Sequence, residues 1–296
     1  MRRVTLLSVH YRHPVLLEDQ ITRLSAGAAA VRSVLGAELR LVPILHRWAA
    51  PEVAEAVLAA GLGTEFGAGL VIPIDLRDRP AEEIPEDVCH GHSLAAAWRV
   101  LEAAGAIEPD DLVGALDHDV HPLQAGALAR LGERLLAPDA PAGLGIPQWH
   151  RGHCYLHPSL LLTRAATVAA MGAETAFELR SPAVNGRSWS DTGEGFTLWC
   201  EANGRAILPL RVESTVFPWK RWDSEMAPGR GTELTGWHGE AVRIGSLMRY
   251  GLESGGPLVS HLWAGPLDPY RWMGFTGVTW EVALASYLGE PLDGKN

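Results

Sequence analysis

The chain opens with an alternation of two hydrophobic periods, and that alternation narrows the fold more than any other feature. VTLLSV at residues 4–9 is a short apolar run ending in the polar turn His10 to Pro14, the mark of a buried strand. Residues 15–35 then place Leu16, Ile21, Leu24, Ala28, Val31 and Leu35 near helical spacing, and Gly36 can stop the helix. Leu39 to Leu45 reads as a second strand, Pro51 to Gly61 as a helix with proline at its first position, and GLVIPI (69–74) as a third strand. The acidic stretch Asp75 to Asp87 has no apolar period and reads as a solvated loop. A helix from Ser93 to Ala104 and a strand from Asp111 to Leu116 complete the series. Such a series predicts an α/β fold with a mostly parallel sheet and helices on both faces. Ligands of these sheets bind beyond the carboxyl ends of the strands, which puts His10, Asp117 and Asp119 on one rim.

Beyond residue 140 the periodicity weakens. YLHPSLLLTR (155–164) reads as a strand in which Pro158 demands an edge or a bulge, followed by a short helix at 165–171, a helix from Thr192 to Asn203 ended by Gly204, and a strand at 205–210. Val216 to Gly239, rich in Trp, Gly, Pro and Arg, reads as ordered loops; Glu240 to Gly251 reads as a helix, and HLWAG follows at 261–265. Of the 11 Trp, all but Trp48 and Trp98 lie from residue 149 onward. The halves 1–122 and 123–296 thus differ in character, within what we read as a single domain over 1–296.

Composition sets limits on function. A chain of 296 residues can bury about three quarters of its unfolded surface, and with 47% hydrophobic and 20% charged residues it is neither fibrous nor disordered. No run of about 18 apolar residues suggests a membrane span. The net charge of -10 argues against nucleic acid as a partner, so an anionic ligand must be held by something local. The three cysteines, Cys89, Cys154 and Cys200, form no CxxC pair and point to a reducing compartment. Met1-Arg2-Arg3 is followed by too short an apolar run, with no cleavage site, for a signal peptide, and the expected location is cytoplasmic.

The sharpest local signal is a strand emptying into Asp117-His118-Asp119. Two carboxylates one residue apart at a strand end can face one ligand, and hard oxygen donors suit Mg²⁺ or Mn²⁺ carrying phosphate oxygens in its shell. The same residues also suit a plain turn that caps the segment after Pro122. VTLLSVHY, HGHSLAAAWRVLEAAG, LVGALDHDVHP, YLHPSLLLTR, DTGEGFTLWCEANG and HLWAG, in that order, favour the first reading over the second. Together they resemble the GT-A glycosyltransferases, the Asp-x-Asp nucleotide-diphospho-sugar transferases, and among them the family-2-like group.

The resemblance implies a Rossmann-like mixed sheet flanked by helices, with a Trp-rich C-terminal acceptor region. It implies that Asp117 lies by the ribose and the metal, that Asp119 ligates the metal, and that His261 completes the shell. Ser8, His10, Tyr11 and His118 would line the base and ribose pocket, and His90, Gly91 and His92 would open the helix near the donor sugar. Asp191 and Glu194 stand where inverting members place a catalytic carboxylate, although Thr192-Gly193 separates them and the pair also reads as a helix cap. The implied activity is metal-dependent transfer of a sugar from a nucleotide-diphosphate donor to a hydroxyl of a small molecule or glycan. The chain leaves room for a homodimer.

Two other classes compete. Cys-His-Gly-His at 89–92, His-Asp-Val-His at 118–121 and the His-rich run 149–157 permit a zinc hydrolase, although HExxH is absent. The Trp faces permit a non-catalytic carbohydrate-binding protein. A nucleotidyltransferase usually carries a glycine-rich phosphate loop after its first strand, and His10 to Pro14 contains no glycine.

Overall fold

In the computed structural model, residues 1–10, 13–46, 49–62, 71–78, 89–150, 153–178, 192–218, 233–235, 241–243, 245–253, 255–262 and 278–292 are described. The first half follows the expected alternation, except that of the strand read over 69–74 only an isolated bridge at Val71 and a short strand from Ile74 are present, residues 69–70 lying outside the described ones. β1 (Arg2–His10), buried from Val4 to His10, leads into α1 (Pro14–Leu35), which has Pro at its start and ends at Gly36 in the left-handed region, φ 61°. β2 (Ala37–Leu45) runs parallel to β1 along its whole length, from Arg2 beside Ala37 to His10 beside Leu45. Next come α2 (Pro51–Leu62), the short β3 (Ile74–Asp75) and α3 (Cys89–Ala103). β4 (Leu112–Leu116) pairs in parallel with the other side of β1.

The chain then crosses to a second, smaller sheet and returns. β5 (Val120–Pro122) is followed by α4 (Ala127–Leu136) and by the antiparallel hairpin β6 (Gly143–His150) and β7 (His153–Arg164). β7 lies against β4 in the opposite direction, so the sheet is mixed. After α5 (Ala165–Met171), α6 (Ala173–Phe177) and α7 (Glu194–Ala202), β8 (Ile207–Pro209) completes a seven-stranded sheet of order β3-β2-β1-β4-β7-β6-β8. Alternate residues of its strands feed two apolar layers. Val4, Leu6, Leu112 and Leu116 pack with α1, α2 and α4, and Leu7, Val9, Val113 and Ala115 with α3, α5, α6 and α7. Helices therefore cover both faces, as the sequence predicts.

The C-terminal segment builds the smaller sheet. β9 (Arg211–Thr215) precedes a two-stranded ribbon of β10 (Glu233–Thr235) and β11 (Ala241–Arg243). β12 (Leu247–Gly251) and β13 (Pro257–Leu262) then join β5 and β9 in the order β5-β13-β12-β9, and α8 (Trp280–Leu288) closes the described chain. The helix expected over Glu240 to Gly251 is thus replaced by strands. Gly245 in mid-run costs a helix about 1 kcal/mol, and β12 has pairing partners on both sides, β9 and β13. Pro158 lies in a bulge and not at an edge. The β6–β7 register jumps between Gly145, opposite Leu161, and Ile146, opposite His157, so the residue without an N–H sits where β6 makes no claim on it.

α8 is fastened by a buried polar network. The ring nitrogens of His121 on β5 lie 2.6 Å from Asp19 on α1 and 3.2 Å from Glu290 just past α8, and the ring stacks on Tyr287 with centroids 3.9 Å apart. Arg23 donates to Asp19 at 2.8 Å and to the Glu290 carbonyl at 2.7 Å, while Arg249 on β12 donates to the Glu290 carboxylate at 2.6 Å. Burial pushes the Asp19 and Glu290 carboxyls up, but the hydrogen bonds from His121, Arg23 and Arg249 win and hold both below their ordinary values.

Replacing Arg23 with Leu leaves Asp19 short of its buried cation, and urea unfolding should show a loss of about 3–5 kcal/mol. The carboxyls' contribution is complete above their unfolded values of 3.8 and 4.5 and is lost as pH falls through the lower folded ones. The wild-type urea midpoint should therefore fall more steeply on acidification below about pH 4 than that of Arg23→Leu; parallel acid profiles would count against this account.

Candidate metal centre

Three chain segments converge at the carboxyl ends of β1 and β4. The Asp117-His118-Asp119 turn is held on one side by the Asp117 N–H, which donates to the Ser159 carbonyl of β7 at 2.8 Å. Beneath it, the Gln20 side-chain amide donates to the Asp117 and Val120 carbonyls at 2.8 and 3.1 Å, and the Ser8 hydroxyl donates to the Gln20 oxygen at 3.1 Å. On the far side, the Leu262 N–H donates to the Asp119 carbonyl at 2.9 Å, and the β5–β13 register sets His261 opposite Val120. The consequence is a cluster. One ligand atom each from Asp117, Asp119 and His261 lies within 4.8 Å of the others, with His261 Nε2 3.6 Å from Asp119 Oδ1.

The electrostatics of this cluster follow from burial and from the charges packed together in it. Burial pushes the Asp119 carboxyl well up, and the neighbouring Asp117 charge adds to the effect. For Asp117, burial is outweighed by His90, whose Nε2 is 2.7 Å from Oδ1, and by His157 and His118, so this carboxyl stays ionised. Burial also pushes His261 and His10 down to about 3 and His118 to about 4, which leaves these three imidazoles neutral near pH 7. Asp119 Oδ1 is buried and has no hydrogen-bond partner among the described residues. Two carboxylates, one with an unmatched oxygen, and a neutral imidazole fit a divalent ion accepting mixed oxygen and nitrogen donors. Among the described residues no other group of His, Cys, Asp and Glu has this geometry.

The remaining expected residues divide. His10 is buried beside the Asp117-His118-Asp119 turn, its ring 6.0 Å from that of His118. The Ser8 side chain is fully buried and braces the turn through Gln20. His90 reaches Asp117, whereas His92, two residues and about 200° further round the helix, faces the other way, its Nδ1 3.1 Å from Glu178. Gly91 is a contact between helices, since a Cβ there would meet the Phe177 carbonyl oxygen at 2.1 Å. Glu194 opens α7 after Gly193, whose φ of 81° and tight fit against Pro158 admit glycine readily. Its carboxylate sits 3.3 Å from His153 Nδ1, and the partnership with Glu194 raises the His153 pKa. Tyr11 and Asp191 lie outside the described residues.

Gln20 and His157 carry structural duties the sequence reading did not assign. Gln20 stands on the buried face of α1 between Leu17, Ile21 and Leu24, and a polar group at a core position of a helix is the signal that marks it. His157 accepts from the Ser159 N–H at 3.0 Å through Nδ1, which leaves Nε2 as its donor nitrogen beside Asp117. Of the His-rich runs, His90, His118 and His157 come close to Asp117, while His121 belongs to the α8 network and His153 to Glu194 and Glu201. Burial pushes Cys154 and Cys200 up to about 12, so neither supplies a thiolate.

No protein-family model matches the chain, and no curated protein is similar to it. A solved structure titled "Crystal structure of 4-diphosphocytidyl-2C-methyl-D-erythritol synthase" is similar over 70% of this chain and 88% of its own, with 12% sequence identity and a TM-score of 0.37.

The raised Asp119 carboxyl gives a sign that can be checked. A folded-state value above the unfolded 3.8 means that the ionised group costs stability at neutral pH. Asp119→Asn should raise the melting temperature of the chelator-treated protein at pH 7 and abolish the further rise on adding Mn²⁺. An unchanged Mn²⁺ response would remove Asp119 from the ligand set.

Proposed function

We propose that the protein is a metal-dependent glycosyltransferase of the GT-A type, which moves a sugar from a nucleotide-diphosphate donor to a hydroxyl of a small molecule or glycan. The observation that carries this reading is the meeting of Asp117, Asp119 and His261 at the carboxyl rim of the parallel strands. The order of the sequence motifs supports it. A Mn²⁺ or Mg²⁺ ion there would stabilise the charge that develops on the departing nucleoside diphosphate.

The chain's own residues supply the rest. Asp117, ionised beside His90, and Asp119 would hold the divalent ion, whose positive charge offsets a diphosphate that an acidic protein otherwise has little means to bind. His10 and His118, neutral in their buried setting, can exchange hydrogen bonds with ribose hydroxyls or a base edge without adding charge. The Asp191–Glu194 segment would carry the base that accepts the acceptor hydroxyl's proton as that oxygen attacks the anomeric carbon. Residues from Trp149 onward would build the acceptor side. No helix among the described residues is long and apolar enough to cross a membrane; a dissolved acceptor and a cytoplasmic setting are part of the proposal.

Melting curves with UDP, GDP and dTDP, each with and without Mn²⁺, test the reading directly. One nucleotide should stabilise the chain in a manner that chelation reverses. Of Asp191→Asn and Glu194→Gln, one should retain that stabilisation and lose at least about 100-fold in turnover. Silence with every nucleotide, or stoichiometric zinc surviving purification, would overturn the proposal in favour of the binding-protein or hydrolase class.

A further inference from the structure

The first turn of α3 bears on the cation site without belonging to the group of three that would hold the ion. His90 Nε2 lies 2.7 Å from Asp117 Oδ1, a hydrogen-bonding distance, and both side chains are largely withdrawn from water. The turn that presents His90 is fixed from the opposite side. Gly91 packs so closely on α6 that a Cβ would meet the Phe177 carbonyl oxygen at 2.1 Å and Glu178 Cα at 3.0 Å. His92 Nδ1 sits 3.1 Å from the Glu178 carboxylate, Arg99 pairs with Glu174 and lies 3.8 Å from Glu178, and Ser93 and Leu94 are fully buried. These contacts leave α3 little freedom to slide or roll, so the direction from which the imidazole reaches the rim is set by the α3–α6 packing.

A carboxylate that ligates an ion must point one oxygen at it, and a free carboxylate turns about its last bond with little resistance. Committing Oδ1 to an imidazole stops that rotation and leaves the remaining lone pairs for the ion. Groups that hold ligands in this way contribute nearly as much to a metal site as the ligands themselves. We propose that His90 is a positioning residue for Asp117: it orients the carboxylate for a divalent cation, and the Gly91–Phe177 contact between α3 and α6 sets its aim. The inference rests on the reading of Asp117 as a cation ligand. It assigns His90 a task other than touching the donor, since its Nε2 is already engaged by the carboxylate.

The test is Mn²⁺ alone, titrated into the full chain by calorimetry and followed by electron paramagnetic resonance, with no nucleotide present. His90→Ala should weaken Mn²⁺ binding about 10- to 100-fold. His90→Gln, whose amide Nε2 can donate from nearly the same place, should restore most of the loss. Gly91→Ala, with His90 intact, should reproduce the weakening by displacing the turn. Melting curves in chelator show whether a variant is folded, and the rescue by Gln keeps the test decisive if Gly91→Ala is not. Equal affinity in wild type and His90→Ala overturns the positioning role while leaving the cation reading in place. Equal loss in the Ala and Gln variants makes the imidazole a ligand in its own right and also overturns it. If the wild-type chain itself binds no Mn²⁺, the cation reading and this inference fall together.

Discussion

Two carboxylates side by side in a space closed to water cannot both carry charge unless something positive is brought to them. The chain meets this constraint twice, within two residues of each other on the same stretch of backbone, and answers it in opposite ways. Around His121, the carboxylates of Asp19 and Glu290 are matched by Arg23 and Arg249, and the group is complete in itself. Around Asp119, the surrounding side chains are imidazoles that burial keeps neutral, and one carboxyl is left poorly matched. The closed group gives the C-terminal helix its seat. The open one is the group of Asp117, Asp119 and His261 that could hold a divalent cation.

What places the open group is the meeting of two sheets. The turn after β4 leaves the large sheet and at once becomes β5, the edge of the small one, so Asp117 answers to the first sheet and Asp119 to the second. β13 arrives antiparallel to β5 and sets His261 beside the turn. The backbone of Asp117 and Asp119 is held by hydrogen bonds to the Ser159 carbonyl and from the Leu262 N–H and is braced below by the buried Gln20 side chain.

Much of this can be read from the residues and some cannot. The strand-helix series through Leu116 follows from local period and stop signals, because each element there satisfies its own preference. The Asp117 and Asp119 pair is legible for the same reason, as a polar turn at the end of an apolar strand. His261 is not legible from any local pattern; it joins the site through a register between residues nearly half the chain apart, and it is the family resemblance that singles it out. The Ser8–Gln20 hydrogen bond is not legible either, because a small polar residue in a strand looks alike whether it faces a ligand or a Gln of the helix behind it. The run from Glu240 to Gly251 has apolar residues that suit either period. Its neighbours β9 and β13 decide, and they are remote in sequence. His92 shows a finer limit: proximity to His90 in sequence implies opposition on a helix.

The β5–β13 pairing also bears on how the molecule is made. The second carboxylate leaves the ribosome long before the imidazole that it is to meet, and until β13 arrives β5 has no strand beside it. A bound ion would then close a loop of nearly half the chain, a restraint comparable in kind to a late cross-link. The large sheet can begin to assemble during synthesis, but β7 and β8 must come from the second half to finish it. The contrast in composition between the halves therefore does not mark a place where the chain could be cut, and an N-terminal fragment would present its acidic turn with neither a partner strand nor a complete set of ligands.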